Sequence, residues 1–199
     1  MPWAQHLEGS YVPKEQLRAV EASRSPWFYL DNGASRLVWS DHCNTALVRW
    51  VMREHGVALA GPQPNELVDP VSPDVLREEA SAALHEYAAW AMESRARHDA
   101  GEGLETWSEL PFSRWQQPYL VLTFCRILWT LRHGAVSTKR HAAEWGLEEL
   151  DPRWSDLIRR ALDDRPDPWE RTRLPSTPEA VESTCAFIDD VLDQAPRCS

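Results

Sequence analysis

A single arginine stands inside an almost unbroken apolar segment, YLVLTFCRILWTLRHG at residues 119–134. A buried guanidinium is costly unless an anion pairs with it. Arg126 therefore needs either a structural carboxylate or an anionic ligand group such as a phosphate, and the residue types leave both readings open. Lys139 and Arg140 follow shortly after the segment and could add positive charge to the same place, although on their own they would be read as a solvated helix face.

The apolar segment also predicts how Arg126 is held. On a helical wheel Thr123, Arg126 and Thr130 share one narrow face, and large apolar residues cover the remainder. Such a helix is central in its fold. We expect Cys125 and Leu128 to be buried while the head of Arg126 reaches a cleft.

A second group of residues is acidic. The stretch HDAGEGLETWSELPFSRW surrounds Trp107 with four carboxylates in a glycine-containing loop, namely Asp99, Glu102, Glu105 and Glu109. Carboxylates beside an aromatic face suit a polycationic small molecule, through charge-assisted hydrogen bonds and cation–π contact. An ordinary solvated acidic turn would have the same composition. We expect Trp107 to be exposed if it contacts a ligand.

Composition narrows the class of protein. A chain of 199 residues with 43% hydrophobic residues and eleven tryptophans can bury a core. Its net charge of −10 argues against binding to nucleic acid. Four well-separated cysteines without a CxxC motif predict no metal site and suit a reducing cytoplasm. No segment resembles a secretion signal or a membrane span, so we expect a cytoplasmic protein with no membrane partner.

The elements that position these residues are mainly helical. Residues 5–12 alternate as a strand does, and SRLVWS at 35–40 could form a second short strand. From Asn44 onward the pattern is helical, with short connections, and it predicts a bundle of five or six helices. We therefore expect a small β remnant in residues 1–42 and a helical domain in residues 43–199.

Helix ends are marked by capping residues. Ser72 before Pro73 can cap the first long helix, and Gly134 can end the Arg126 helix. Ser137 can cap the next helix, and Asp151 before Pro152 can open another. In the last helix Ser176 and Glu179 have the spacing of a capping box.

The order of these motifs resembles one known family. The stretches GVALAGPQPNELVDPVSPDVL, YLVLTFCRILWTLRHGAVSTKRHAAEWGLEEL and PRWSDLIRRAL are similar to the C-terminal helical domain of the streptomycin/spectinomycin adenylyltransferases. These enzymes confer resistance to aminoglycosides by transferring AMP from ATP to a hydroxyl group of the drug. The resemblance runs from about Asn44 to the last residue.

This resemblance implies roles for individual residues. The arginine of the family's LT-x-x-R helix and the lysine of its S-x-K-x-x-A-A-x-W helix face the nucleotide phosphates, which implies that role for Arg126 and Lys139. LEGSYV resembles the strand that carries the general base, here Glu8. Trp107 is the implied counterpart of a tryptophan that contacts streptomycin, with Glu105 and Glu109 beside it. ATP and Mg²⁺ are the implied cofactors, and an aminoglycoside the implied partner.

The chain also departs from the family pattern. Near the positions where the family has acidic drug contacts, this sequence has Phe112 and Gln116. The family's Gly-Ser turn and following aspartate pair, which hold Mg²⁺ against the triphosphate, do not occur upstream of Glu8. A truncated gene product, a reading frame begun too late and a domain that binds without chemistry would each have this pattern. It predicts that the chain is catalytically incomplete by itself and could pair with a nucleotidyltransferase half.

Two other classes of function remain open. A non-catalytic drug-binding or interaction domain would share every helical feature. A helical ribonuclease of HEPN type is a third reading, because such domains carry an arginine followed by a histidine, and Arg126 and His133 have such a spacing. The acidic net charge argues against this last reading.

Overall fold

The computed structural model describes residues 7–19, 24–101, 112–164 and 174–195. The chain divides into two compact units, residues 1–79 and residues 80–199. The described residues are mostly helical, with a small antiparallel sheet near the N-terminus. This architecture confirms the predicted mainly helical fold with a short β segment.

The first unit contains a three-stranded sheet in the order β1-β2-β3, with strands at Gly9–Tyr11, Trp27–Leu30 and Val38–Ser40. Both neighbouring pairs are antiparallel. β1 and β3 fall inside the two predicted strand segments. The central strand β2, with sequence WFYL, was not predicted. It alternates in burial, since Trp27 and Tyr29 are buried and Phe28 is exposed.

Three helices lie in the rest of the first unit: α1 at Lys14–Leu17, α2 at Ala46–His55 and α3 at Pro64–Leu67. Thr45 caps α2 through its side chain. Arg49 of α2 is 1% exposed, and its guanidinium donates to the backbone carbonyls of Gln16, Leu17 and Thr45 at 2.9–3.3 Å. It also lies over the Trp27 ring at 5.2 Å. A buried cation therefore joins α2 to the end of α1.

The long helix α4, Pro73–Asp99, begins in the first unit and continues in the second. Ser72 accepts a hydrogen bond from Val75 N, as the predicted cap requires. In the second unit Ala80, Leu84, Ala88 and Ala91 form its buried stripe. Their spacing of three or four residues is that of one helix face.

The second unit is a helical bundle around α5, Gln116–His133. α5 packs against α6 at Lys139–Glu149, α7 at Ser155–Asp163 and α8 at Pro178–Gln194. Cys125 and Leu128 are buried, as the apolar wheel predicts. Gly134 ends α5 with φ of 62°, a left-handed conformation that favours glycine.

Two predicted helix caps are wrong by one residue. Thr138, not Ser137, accepts the hydrogen bond from His141 N at the start of α6. At the start of α8, Thr177 accepts from Ala180 N, so Ser176 is not the cap. Pro178 occupies the first position of α8 and fixes this register, because proline fits the first helical turn. The Asp151 cap is confirmed, although it opens a 3₁₀ turn at Pro152–Trp154 before α7.

Within the described ranges, no helix is both long enough and apolar enough to span a bilayer.

Candidate functional site

Arg126 lies on the narrow polar face of α5 that the helical wheel predicts. Thr123 and Thr130 on this face are buried, and their hydroxyls donate to the carbonyls of Tyr119 and Arg126, each four residues earlier. This bonding satisfies both threonines inside their own helix. Arg126 is the member of the face that stays partly exposed.

No carboxylate oxygen lies within 4.0 Å of the Arg126 guanidinium among the residues that the structure describes. By contrast, Arg114 pairs with Asp164 at 2.8 Å and Arg95 with Asp99 at 2.7 Å. In the described ranges, the structural-carboxylate reading of Arg126 therefore has no candidate partner. A partly exposed guanidinium of this kind can bind a phosphate through two parallel hydrogen bonds.

Lys139 is the first residue of α6 and extends over α5. Its Nζ lies 3.3 Å from the centroid of the Tyr119 ring. Tyr119 is in the first turn of α5. An ammonium over an aromatic face is attracted by the electron density of the ring. Lys139, which the capping pattern placed in the first turn of a helix, thus contacts the same helix that carries Arg126.

Tyr119 belongs to an aromatic cluster with Tyr87, Trp90 and Trp115. Its ring stacks on Trp115 at 5.2 Å and lies 6.1 Å from Trp90 and 6.2 Å from Tyr87, between centroids. The two tyrosine hydroxyl oxygens are 3.1 Å apart, so one donates to the other. Burial raises the pKa of Tyr87, and Tyr119 raises it further, while the positive charge of Arg126 opposes the rise.

Glu8 lies in the first unit, just before β1. Its side chain is 40% exposed. The Tyr29 hydroxyl donates to Oε1 of Glu8 at 2.9 Å, and Nε2 of His42 lies 3.8 Å from the same oxygen. Asp31 Oδ1 is 3.2 Å from the Tyr29 hydroxyl. A half-exposed carboxylate held on one side by a phenol can still accept a proton from a group that approaches from solvent.

The predicted drug-contact residues Trp107, Glu105 and Glu109 lie outside the described residues. Phe112 and Gln116, which stand near the family's acidic positions, are both buried. Gln116 accepts a hydrogen bond from the Phe112 backbone N–H and donates one to Ser94. These two positions therefore support the start of α5 from inside the bundle.

His133, the partner of Arg126 in the ribonuclease reading, packs against Trp129 with ring centroids 3.9 Å apart and the rings tilted by 31°. In the described ranges, no three histidine, cysteine, aspartate or glutamate side chains come together as a metal site. The described residues therefore offer no set of side-chain ligands for Mg²⁺.

The sequence did not single out Tyr119, Tyr87 or Tyr29 for the site. Tyr119 had a usable signal, because it stands seven residues before Arg126 and therefore shares its helix face. Tyr87 and Tyr29 contact their partners only through tertiary structure, so spacing along the chain gives no indication of either contact.

Comparisons with known proteins give one family. The family model described as "Aminoglycoside adenylyltransferase, C-terminal domain" matches residues 67–189. Similar curated proteins are each named aminoglycoside (3'') (9) adenylyltransferase, from Klebsiella pneumoniae, Shigella flexneri and Escherichia coli. Each is 32% identical over 106 residues, which cover 53% of this chain and 33% of the relative. The aligned part thus spans about a third of these relatives. No solved structure matches the chain.

Proposed function

The chain belongs to the aminoglycoside adenylyltransferase family through its C-terminal domain, and from this premise we propose that Arg126 and Lys139 bind the triphosphate of ATP for AMP transfer to an aminoglycoside. The observation that carries the proposal is Arg126 itself. It is partly exposed, and no described carboxylate lies within ion-pair distance. A partly exposed guanidinium and an ammonium held against the same helix suit a polyanion.

Each residue has a separate part in the proposed reaction. Arg126 and Lys139 bind and orient the triphosphate and offset negative charge that builds up as pyrophosphate leaves. Glu8 accepts the proton of the drug hydroxyl as its oxygen attacks the α-phosphorus. The hydrogen bond from Tyr29 supports this role, because it fixes one oxygen of the carboxylate.

We propose that the acidic segment around Trp107 binds the drug. Glu105 and Glu109 would pair with ammonium groups of the drug, and the indole would cover its apolar face. Streptomycin and spectinomycin are the substrates to test first. The proposed setting is the cytoplasm, which suits the well-separated cysteines.

We further propose that the 199-residue chain does not complete the reaction alone, since its sequence has no Gly-Ser turn with an aspartate pair ahead of Glu8. Metal-assisted phosphoryl transfer loses both alignment and charge stabilisation without such carboxylates. The purified chain with ATP, Mg²⁺ and each drug should release pyrophosphate only at background rate. Robust release that Glu8→Gln abolishes would contradict this part of the proposal.

Nucleotide binding is tested separately from turnover. In ³¹P NMR the wild-type chain should broaden and shift the β- and γ-phosphate resonances of ATP, and Lys139→Met should reduce the effect severalfold. Arg140→Met is the matched control, because Arg140 is adjacent and exposed and lies 3.9 Å from Glu144. Equal loss in both variants would indicate general electrostatic attraction and would count against a built phosphate site.

A further inference from the structure

Two tyrosines, Tyr119 and Tyr87, lie next to one cation of the proposed phosphate site, Lys139. The Tyr119 ring lies under Nζ of Lys139 at 3.3 Å, and its hydroxyl is 3.1 Å from that of Tyr87. Tyr119 also lies two helical turns before Arg126 on α5, so the two residues share one helix face. A set of contacts thus leads from the Lys139 ammonium through Tyr119 to Tyr87.

Neither tyrosine is free to move independently. Tyr119 stacks on Trp115 with an interplanar angle of 25°, and Trp90 meets it edge-on at 85°. Tyr87 meets Trp90 at 69°. Edge-to-face and offset-stacked rings are the stable arrangements of aromatic pairs. The cluster therefore provides a rigid base, on which a long and flexible lysine side chain can be fixed.

The Lys139 side chain is flexible, so a rigid aromatic support can lower the cost of fixing its ammonium group. Lysine has four rotatable side-chain bonds, and immobilising it on binding costs conformational entropy. At the first position of α6 the lysine backbone is set by the Thr138 cap, but the cap does not fix the ammonium. Contact with the Tyr119 ring restricts the ammonium before any ligand arrives.

We propose that Tyr119 and Tyr87 are positioning residues of this site: the Tyr119 ring holds the Lys139 ammonium, and the hydroxyl pair fixes that ring on the helix that carries Arg126. The two cations then meet one triphosphate as a preformed pair. This inference rests on the proposed function, since it assigns a role to residues around the same phosphate site. Preorganisation of this kind raises affinity by lowering the cost of ordering.

The test uses the full chain and measures the Kd of ATP by calorimetry at low salt. Tyr119→Leu removes the ring and should weaken binding about three- to tenfold, the range of a partly desolvated cation–π contact. Tyr119→Phe and Tyr87→Phe keep the rings and should weaken it about twofold, the effect of one lost neutral hydrogen bond at the low end of its range. Tyr11→Leu is the control, because Tyr11 is a 70% exposed tyrosine of the first unit, and it should leave the Kd unchanged.

A double-mutant cycle separates positioning from simple packing. If Tyr119 acts through Lys139, then Tyr119→Leu should have little further effect in a Lys139→Met background. Additive losses would overturn the inference. The Lys139 methylene protons next to Nζ supply a second readout: the ring current should shift them upfield in wild type and in Tyr119→Phe, but not in Tyr119→Leu.

The outcomes distinguish the two proposals. If Lys139→Met weakens ATP binding while Tyr119→Leu does not, the phosphate site stands and the positioning inference fails. If the wild-type chain binds no ATP, both fail. If Tyr119→Leu does not fold, the upfield shift in wild type and the twofold effect of Tyr119→Phe decide the question, and absence of either contradicts the inference.

Discussion

The hydroxyl oxygen of Tyr29 lies 2.9 Å from Oε1 of Glu8. It also lies 3.2 Å from Oδ1 of Asp31, so two carboxylates share one phenol proton. Burial raises the pKa of Tyr29, and the hydrogen bond and negative charge of Glu8, followed by Asp31, raise it further. The phenol therefore remains a donor to Glu8 throughout the pH range in which an enzyme would work.

This arrangement predicts a pH dependence of stability. A tyrosine in the unfolded chain ionises near its ordinary pKa of about 10, whereas Tyr29 in the folded chain keeps its proton to higher pH. Between pH ~10 and the raised pKa of the folded chain, the unfolded state binds fewer protons than the folded state. The free energy of unfolding therefore falls as pH rises through this range. Urea unfolding followed by fluorescence should show a decline above pH ~10 that is smaller in Tyr29→Phe. An identical decline in both proteins would mean that Tyr29 ionises normally.

Arg49 should be among the most sensitive positions for stability. Replacing it with methionine keeps the volume but leaves the carbonyls of Gln16, Leu17 and Thr45 without this donor. We expect a loss of about 2–4 kcal/mol in the free energy of unfolding. Arg36→Met is the matched control on an exposed arginine of the same unit, and it should cost less than about 0.5 kcal/mol. Similar small losses for both variants would show that the buried hydrogen bonds contribute little.

Two glycines of the second unit, Gly134 and Gly146, should respond in opposite directions to replacement by alanine. Gly134 has φ of 62°, where a side chain is strained, so Gly134→Ala should destabilise by about 1 kcal/mol. Gly146 lies within α6, and an added Cβ would lie 3.3 Å from the Leu150 Cδ1 methyl and 3.6 Å from Cys125 Sγ. Because a leucine terminus can shift, Gly146→Ala should stabilise by about 0.5 kcal/mol through helix propensity. Thermal melting of both variants would check this, and stabilisation by Gly134→Ala would contradict it.

Much of the helical fold followed from pattern alone. The long periodic segments predict α2, α4 and α5, and Gly134 correctly predicts the end of α5. The caps of α6 and α8 were displaced by one residue, because each start offers two adjacent hydroxyls, Ser137 with Thr138 and Ser176 with Thr177. Capping depends on backbone geometry that such a pair does not reveal.

The missed elements depended on tertiary contacts. β2 has the sequence WFYL, in which no polar residues alternate with apolar ones to indicate a half-buried strand. It is a central strand because β1 and β3 pair on its two sides. The sequence also drew attention to the wrong arginine as the buried one. Arg126 is partly exposed, and the buried guanidinium is that of Arg49, whose carbonyl partners lie 32 and 33 residues away as well as four. Local sequence cannot bring such partners together.

The binding of a nucleotide phosphate by Arg126 can be tested directly by comparing three proteins. The Kd of ATP should be measured by calorimetry for wild type, Arg126→Met and Arg132→Met. Arg132 is an exposed arginine on the same helix, so its replacement makes the same change in net charge. We predict that Arg126→Met weakens binding at least tenfold, as expected for loss of a charge-assisted contact, and that Arg132→Met changes the Kd less than about twofold. Equal affinities of wild type and Arg126→Met would show that Arg126 does not bind the nucleotide.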